Sequence, residues 1–144
     1  FHFNIIAYDI YRDNKYAKKY NITFCSLKDV LTESDIITIH LSLNNETRGL
    51  IDKNYLNIAK KGSIFINTSR GEIVDQDALY SALKTKHLSG AGLDVFCEEP
   101  YSGPIKELNN VVLTPHIGAY AKEIRTQMEI ESVKNLLKGL NEKR

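Results

Sequence analysis

The stretch INTSRGEIVD, Ile66 to Asp75, decides how this chain is read. Just ahead of it and into it, Ile64, Phe65 and Ile66 form a short apolar run of the kind that becomes a buried parallel strand. The run stops at Asn67-Thr68-Ser69-Arg70-Gly71: small polar side chains, a guanidinium and a glycine. A segment that only has to turn needs no arginine. A strand tip with small hydrogen-bonding groups and one fixed positive charge suits an anionic small molecule, because the planar guanidinium grips a carboxylate at two points. Gly71 lets the chain turn sharply behind it. On the plainer reading, Arg70 pairs with Glu72 or Asp75 on the surface.

Outward from this stretch, strand-like and helix-like segments alternate. Asn4–Tyr8, Ile36–Leu41, Ile64–Ile66, Ala91–Phe96 and Val111–Leu113 are short, largely apolar strand candidates. The apolar spacing predicts helices over Asn14–Tyr20, Leu27–Thr32, Lys53–Ala59 and Gln76–Lys86. For the last of these, Asp75 is the cap, Asp77 suits the positive end of the dipole, and Ala78, Leu79, Ala82 and Leu83 make one stripe. Ile124, Met128, Val133, Leu136 and Leu137 mark a long final helix that Gly139 is placed to stop. Such alternation implies a parallel sheet with helices on both faces, and ligands bind such sheets at the carboxyl ends of the strands.

Composition removes several function classes. With 144 residues, 42% of them apolar, the chain is long enough for one domain with one core. The net charge of +1 is spread along the chain without a basic stripe, which argues against nucleic acid as a partner. No apolar run approaches the roughly 18 residues of a membrane span, and no signal peptide opens the chain. Cys25 and Cys97 are too few and too far apart for a disulfide framework or a metal cluster. They read as free thiols of a cytoplasmic protein that binds no metal.

The strand tips therefore hold the chemistry. Asp9 follows the first strand; a carboxylate at the end of the second strand of a dinucleotide fold accepts hydrogen bonds from ribose hydroxyls and repels a 2′-phosphate. It serves equally well as a loop or helix-capping aspartate. His40 ends IITIHL, beside Leu41 and Leu43, whose side chains can face an adenine. Asp94 falls in an apolar strand, where an unpaired carboxylate would cost several kcal/mol, so it needs a partner, a cofactor amide being one candidate. Glu98 and Glu99 begin a loop, and in LTPHIGAY the proline stiffens the approach to His116 while Gly118 allows close approach to a ligand. Each residue has a bland structural reading, but one fold sets all these tips along one edge. An arginine, a carboxylate and a histidine together suit hydride transfer coupled to proton transfer at a carbonyl. The arginine binds the substrate carboxylate, the histidine exchanges the proton, and the carboxylate beside it favours the protonated imidazole.

NTSRGEIVDQDALYSALKTKHLSGAGLDVFCEEP, followed by LTPHIGA, resembles the signature region of the D-isomer-specific 2-hydroxyacid dehydrogenases, most closely the phosphoglycerate dehydrogenase branch. The resemblance runs from Asn4 to about Leu137. It implies a Rossmann-like, doubly wound α/β fold, NAD as cofactor, and a 2-hydroxy or 2-keto acid as substrate, most specifically 3-phosphoglycerate, with a place in serine biosynthesis. It also implies catalysis by Arg70, Glu99 and His116, and cofactor contacts at Asp9, His40, Leu41, Ser42, Thr68, Ser69, Arg70, Asp94, His116, Gly118 and Ala119. Ser42 stands where many members carry proline. A homodimer formed through this domain is a further implication.

One departure is large. The family places a strand, a G-x-G-x-x-G loop and a helix before the strand that ends at Asp9, and no such motif occurs in this sequence. Residues 1–144 are therefore expected to form a partial dinucleotide-binding domain, without the first strand, glycine-rich loop and first helix, and without a substrate domain. The open edges are expected on the strand before Asp9 and on the one ending at Asn67. Other readings are a nucleotide-sensing corepressor of the same fold and an inactive fragment.

Overall fold

Alternating burial is the first consequence of the strand sequences. In the computed structural model, which describes residues 3–141, the central strand Ile64–Asn67 buries Phe65 and Asn67 and turns Ile64 outward. The ends of the expected 1–144 domain lie outside the described residues.

The strands are β1 (Ile5–Ala7), β2 (Ile22–Phe24), β3 (Ile36–Ile39), β4 (Ile64–Asn67), β5 (Gly90–Leu93) and β6 (Val111–Leu113). The helices are α1 (Asn14–Tyr20), α2 (Leu27–Glu33), α3 (Lys53–Ile58), α4 (Gln76–Lys84) and α5 (Lys122–Asn141), with short 3-10 turns at Gly71–Ile73 and Pro104–Glu107. All the strand pairs are parallel: β1 with β2, and a four-stranded sheet in the order β3-β4-β5-β6. This is the expected Rossmann-like α/β arrangement.

Helix starts follow the local sequence closely. Asp13, Ser26, Asp52 and Asp75 cap α1 to α4, each accepting a hydrogen bond from a backbone amide of the first turn. Ser26 and Asp29 make a reciprocal capping box. Leu31 of α2, Leu56 of α3, and Leu79 and Leu83 of α4 bury their side chains with Ile37, Phe65 and Leu93 in one core.

Several expectations need correction. The ITF strand, β2, had no periodic signal of its own, because three residues are too short to show alternation. β5 stops at Leu93, so Asp94 stands just past the strand and not within it. The strand ending at Asn67 has no open edge: β4 pairs with β3 on one side and β5 on the other, and the edge strands are β3 and β6. Helix α5 continues through Gly139 to Asn141. Glycine stops a helix by turning left-handed, and Gly139 is not among the glycines with positive φ. None of the residues of α5 is buried.

Candidate active site

Asn67 organises the turn that follows β4. Its buried side-chain amide donates to the Arg70 carbonyl at 2.9 Å, and its Oδ1 accepts from the Ser69 amide at 3.0 Å. Asn67 thus faces the turn itself, not a ligand. Arg70 is exposed, and its Nη1 donates back to the Ser69 carbonyl at 2.6 Å. The plainer reading of Arg70 does not hold: Glu72 lies 3.9 Å from Arg48, and Asp75 caps α4. Immediately afterwards Gly71 presses on the backbone of Phe96 and Cys97; a Cβ there would stand 2.1 Å from the Phe96 carbonyl carbon. That contact brings the Arg70 turn against the loop that carries Glu99.

Within that loop, Glu99 Oε1 accepts from the Phe96 amide at 3.1 Å, and His116 Nδ1 donates to Glu99 Oε2 at 2.9 Å. The hydrogen bond with His116 holds the Glu99 carboxyl below its ordinary value; desolvation pushes it up by less, and the Phe96 amide adds a further, smaller lowering. A carboxylate on Nδ1 leaves Nε2 as the atom of His116 that can exchange a proton with a ligand. Arg70, Glu72, Cys97, Glu99 and His116 line one hollow of about 260 Å³.

His116 itself adopts a left-handed backbone, φ 55, unusual for a residue with a side chain. The conformation is held from Asp94, whose buried carboxylate accepts from the Thr114 hydroxyl and from the amides of Ile117 and Gly118, each amide at 2.8 Å. Gly118 keeps this space open, since a Cβ would stand 3.0 Å from Asp94 Oδ2. Burial pushes the Asp94 carboxyl up, and these hydrogen bonds more than offset it, leaving it below the ordinary value. The partner that a buried Asp94 demanded is therefore within the protein. Thr114 went unremarked in the sequence, although a polar residue two positions before His116 was the available signal. Gln76 also went unremarked; its Oε1 accepts from the Cys97 amide at 3.3 Å, and nothing local marks a contact spanning that sequence distance.

The remaining tips lie apart from this pair. Asp9 follows β1, where its Oδ1 accepts from the Tyr11 amide at 2.8 Å, and the capping role falls to Asp13. Its exposure leaves the carboxylate open to ribose hydroxyls. His40, just past β3, is exposed with Nε2 at 2.9 Å from the Thr38 hydroxyl. Leu41 and Leu43 are half-buried and pack in part against the core. The Ser42 carbonyl accepts from the Thr47 hydroxyl, Ser69 is half-buried, and Thr68 and Ala119 are exposed. Asp9, His40, Ser42 and Thr68 follow carboxyl ends of parallel strands, a set suited to a dinucleotide. Among the described residues, no group of three or more His, Cys, Asp or Glu is arranged to hold a metal. No helix among them is long and apolar enough to cross a membrane.

The family model for the D-isomer-specific 2-hydroxyacid dehydrogenase NAD-binding domain matches residues 1–118. The chain belongs to this family. A glyoxylate reductase of Korarchaeum cryptofilum is 40% identical over 139 residues, covering 95% of this chain and 42% of that protein. A D-3-phosphoglycerate dehydrogenase of Archaeoglobus fulgidus is 38% identical over 142 residues, covering 95% of this chain and 27% of that protein. The crystal structure of D-lactate dehydrogenase from Aquifex aeolicus, complexed with NAD and lactic acid, superposes with a TM-score of 0.81 at 30% identity, covering 94% of this chain and 46% of that one. The chain thus spans less than half the length of these 2-hydroxyacid dehydrogenases. The family's cofactor domain binds NAD, and the exposed carboxylate of Asp9 fits that cofactor.

Proposed function

We propose that this chain is a partial dinucleotide-binding domain of an enzyme that interconverts D-2-hydroxy acids and 2-oxo acids, with Arg70, Glu99 and His116 as its catalytic residues. The observation that carries the reading is their convergence on one hollow, with Glu99 and His116 joined at 2.9 Å. NAD, when bound, would supply the hydride acceptor, and Asp9, His40, Ser42, Thr68, Asp94, Gly118 and Ala119 are the residues that would hold it, Asp94 and Gly118 through the backbone they order around His116. Arg70 binds the substrate carboxylate and draws charge from the neighbouring carbonyl. His116 takes the hydroxyl proton at Nε2 in oxidation and returns it in reduction, while Glu99 fixes the ring by its bond to Nδ1.

For the finer substrate we favour 3-phosphoglycerate, supported by the likeness of the NTSRG and LTPHIGA segments to the phosphoglycerate dehydrogenase branch; glyoxylate reductases among the relatives make glyoxylate the rival. Cytosolic residence fits the free thiols Cys25 and Cys97. A homodimer fits the uncovered apolar side chains of α5.

Arg70→Lys in the full-length enzyme tests the central assignment. Lysine keeps the charge and loses the planar two-point grip, so kcat/KM for the 2-oxo acid should fall about 100- to 1000-fold. NADH affinity should stay near wild type. Unchanged kinetics with a collapse in NADH affinity would make this turn a cofactor loop only.

A further inference from the structure

The Glu99–His116 pair stands between two hollows, and the reaction above uses only the one lined by Arg70. On the other side opens a cavity of about 500 Å³. Phe96, Tyr101, Leu113 and Pro115 make its wall apolar. The wall is held in shape: the Phe96 and Tyr101 rings stack at 4.4 Å between centroids, and the Tyr101 hydroxyl accepts from the Ile105 amide at 3.1 Å. Gly103 leaves the space for that ring, since a Cβ there would meet the Tyr101 hydroxyl oxygen at 2.4 Å.

Most polar groups around this cavity are already engaged. Thr114 donates to Asp94, and the two oxygens of Glu99 are taken by Phe96 and His116. Lys106 is the exception. Its exposed side chain lines the cavity and makes no hydrogen bond or ion pair among the described residues. An ammonium group at the margin of an apolar cavity, with an acid/base pair on the same wall, suits the far end of an anionic substrate.

We propose that this cavity receives the part of the substrate beyond the reacting carbon and that Lys106 binds a second, terminal anionic group. The preferred substrates are then 2-oxo acids that end in a carboxylate or a phosphate. The inference rests on the dehydrogenase reading of Arg70, Glu99 and His116. Arg70 holds the first carboxylate from one hollow, His116 meets the oxo group at the junction, and Lys106 meets the second anion from the other. Glyoxylate, with only hydrogen on its oxo carbon, has nothing to place there. An ammonium is a point charge, so geometry at Lys106 does not choose between carboxylate and phosphate.

Steady-state kinetics of the full-length enzyme with phosphohydroxypyruvate, oxaloacetate, hydroxypyruvate and glyoxylate separates the possibilities. In Lys106→Met, kcat/KM for an anion-tailed substrate, taken relative to that for glyoxylate, should drop roughly 10- to 100-fold. Lys106→Arg should restore most of it, and the ratio of hydroxypyruvate to glyoxylate should not move. A drop confined to phosphohydroxypyruvate identifies phosphate as the terminal group; one confined to oxaloacetate identifies carboxylate. Unchanged ratios for both anionic substrates, or a parallel loss for all four, would overturn the assignment of Lys106. Absence of turnover with every one of them in the wild type is a different failure: it removes the dehydrogenase reading and this inference with it.

Discussion

At the scale of single residues, Asp94 does more than its sequence context announced. It ties the Thr114 hydroxyl before His116 and the backbone amides of Ile117 and Gly118 after it, so one buried carboxylate brackets the left-handed histidine. Because the folded carboxyl is held below its ordinary value, its contribution to stability is complete above the ordinary carboxylate range. That contribution disappears as pH falls through the lower folded value. Asp94→Asn keeps the shape but turns one acceptor into a donor facing an amide donor. It should cost about 1–3 kcal/mol at neutral pH, and the gap to wild type should shrink on acidification. Urea unfolding at neutral and strongly acidic pH reads both effects; a gap that stays constant with pH would show that the charge is not what matters.

Among the elements, the 3-10 turn Gly71–Ile73 has the decisive position. It joins β4 to α4 and lies against the Phe96–Cys97 backbone, so Arg70 and Glu99 face one hollow. Gly71→Ala would set a methyl group 2.1 Å from the Phe96 carbonyl carbon and 2.5 Å from the Cys97 nitrogen, both backbone atoms that no rotamer change can move aside. Turn and loop must then part, at a cost of about 1–3 kcal/mol. The same separation should lower kcat. Thermal unfolding together with kcat checks this, and a variant with wild-type melting and turnover would contradict the contact. Helix α5 makes the opposite point: its apolar residues are legible in the sequence, yet Ile124, Met128, Val133, Leu136 and Leu137 remain 52–63% exposed.

For the molecule as a whole, the four-stranded sheet is buried on the side where α2, α3 and α4 pack. Ile36, Ile64 and Val112 on its strands stay exposed, as does the apolar part of α5. Exposed apolar area on this scale marks surfaces that are covered in an assembled protein. The proposed homodimer is one way to cover them, and light scattering of the full-length enzyme at micromolar concentration should give twice the monomer mass. A stable monomer there would count against it.

The sequence by itself determined the parallel α/β plan, the helix starts and the residues that carry charge to the strand tips. Alternation, capping aspartates and apolar stripes act over a few residues, and Asp75 is a cap in sequence and structure alike. Arg70, Glu99 and His116 were legible as one set along the sheet edge, but the bond between Glu99 and His116 was not, because the two meet only when the loop after β5 folds back on the turn after β6. Tertiary structure alone decided that Asp94 would be satisfied by Thr114, Ile117 and Gly118, that Asn67 would turn inward, and that Lys106 would share a cavity with His116. Those outcomes join residues far apart along the chain, and local spacing holds no information about which buried polar group will find which donor.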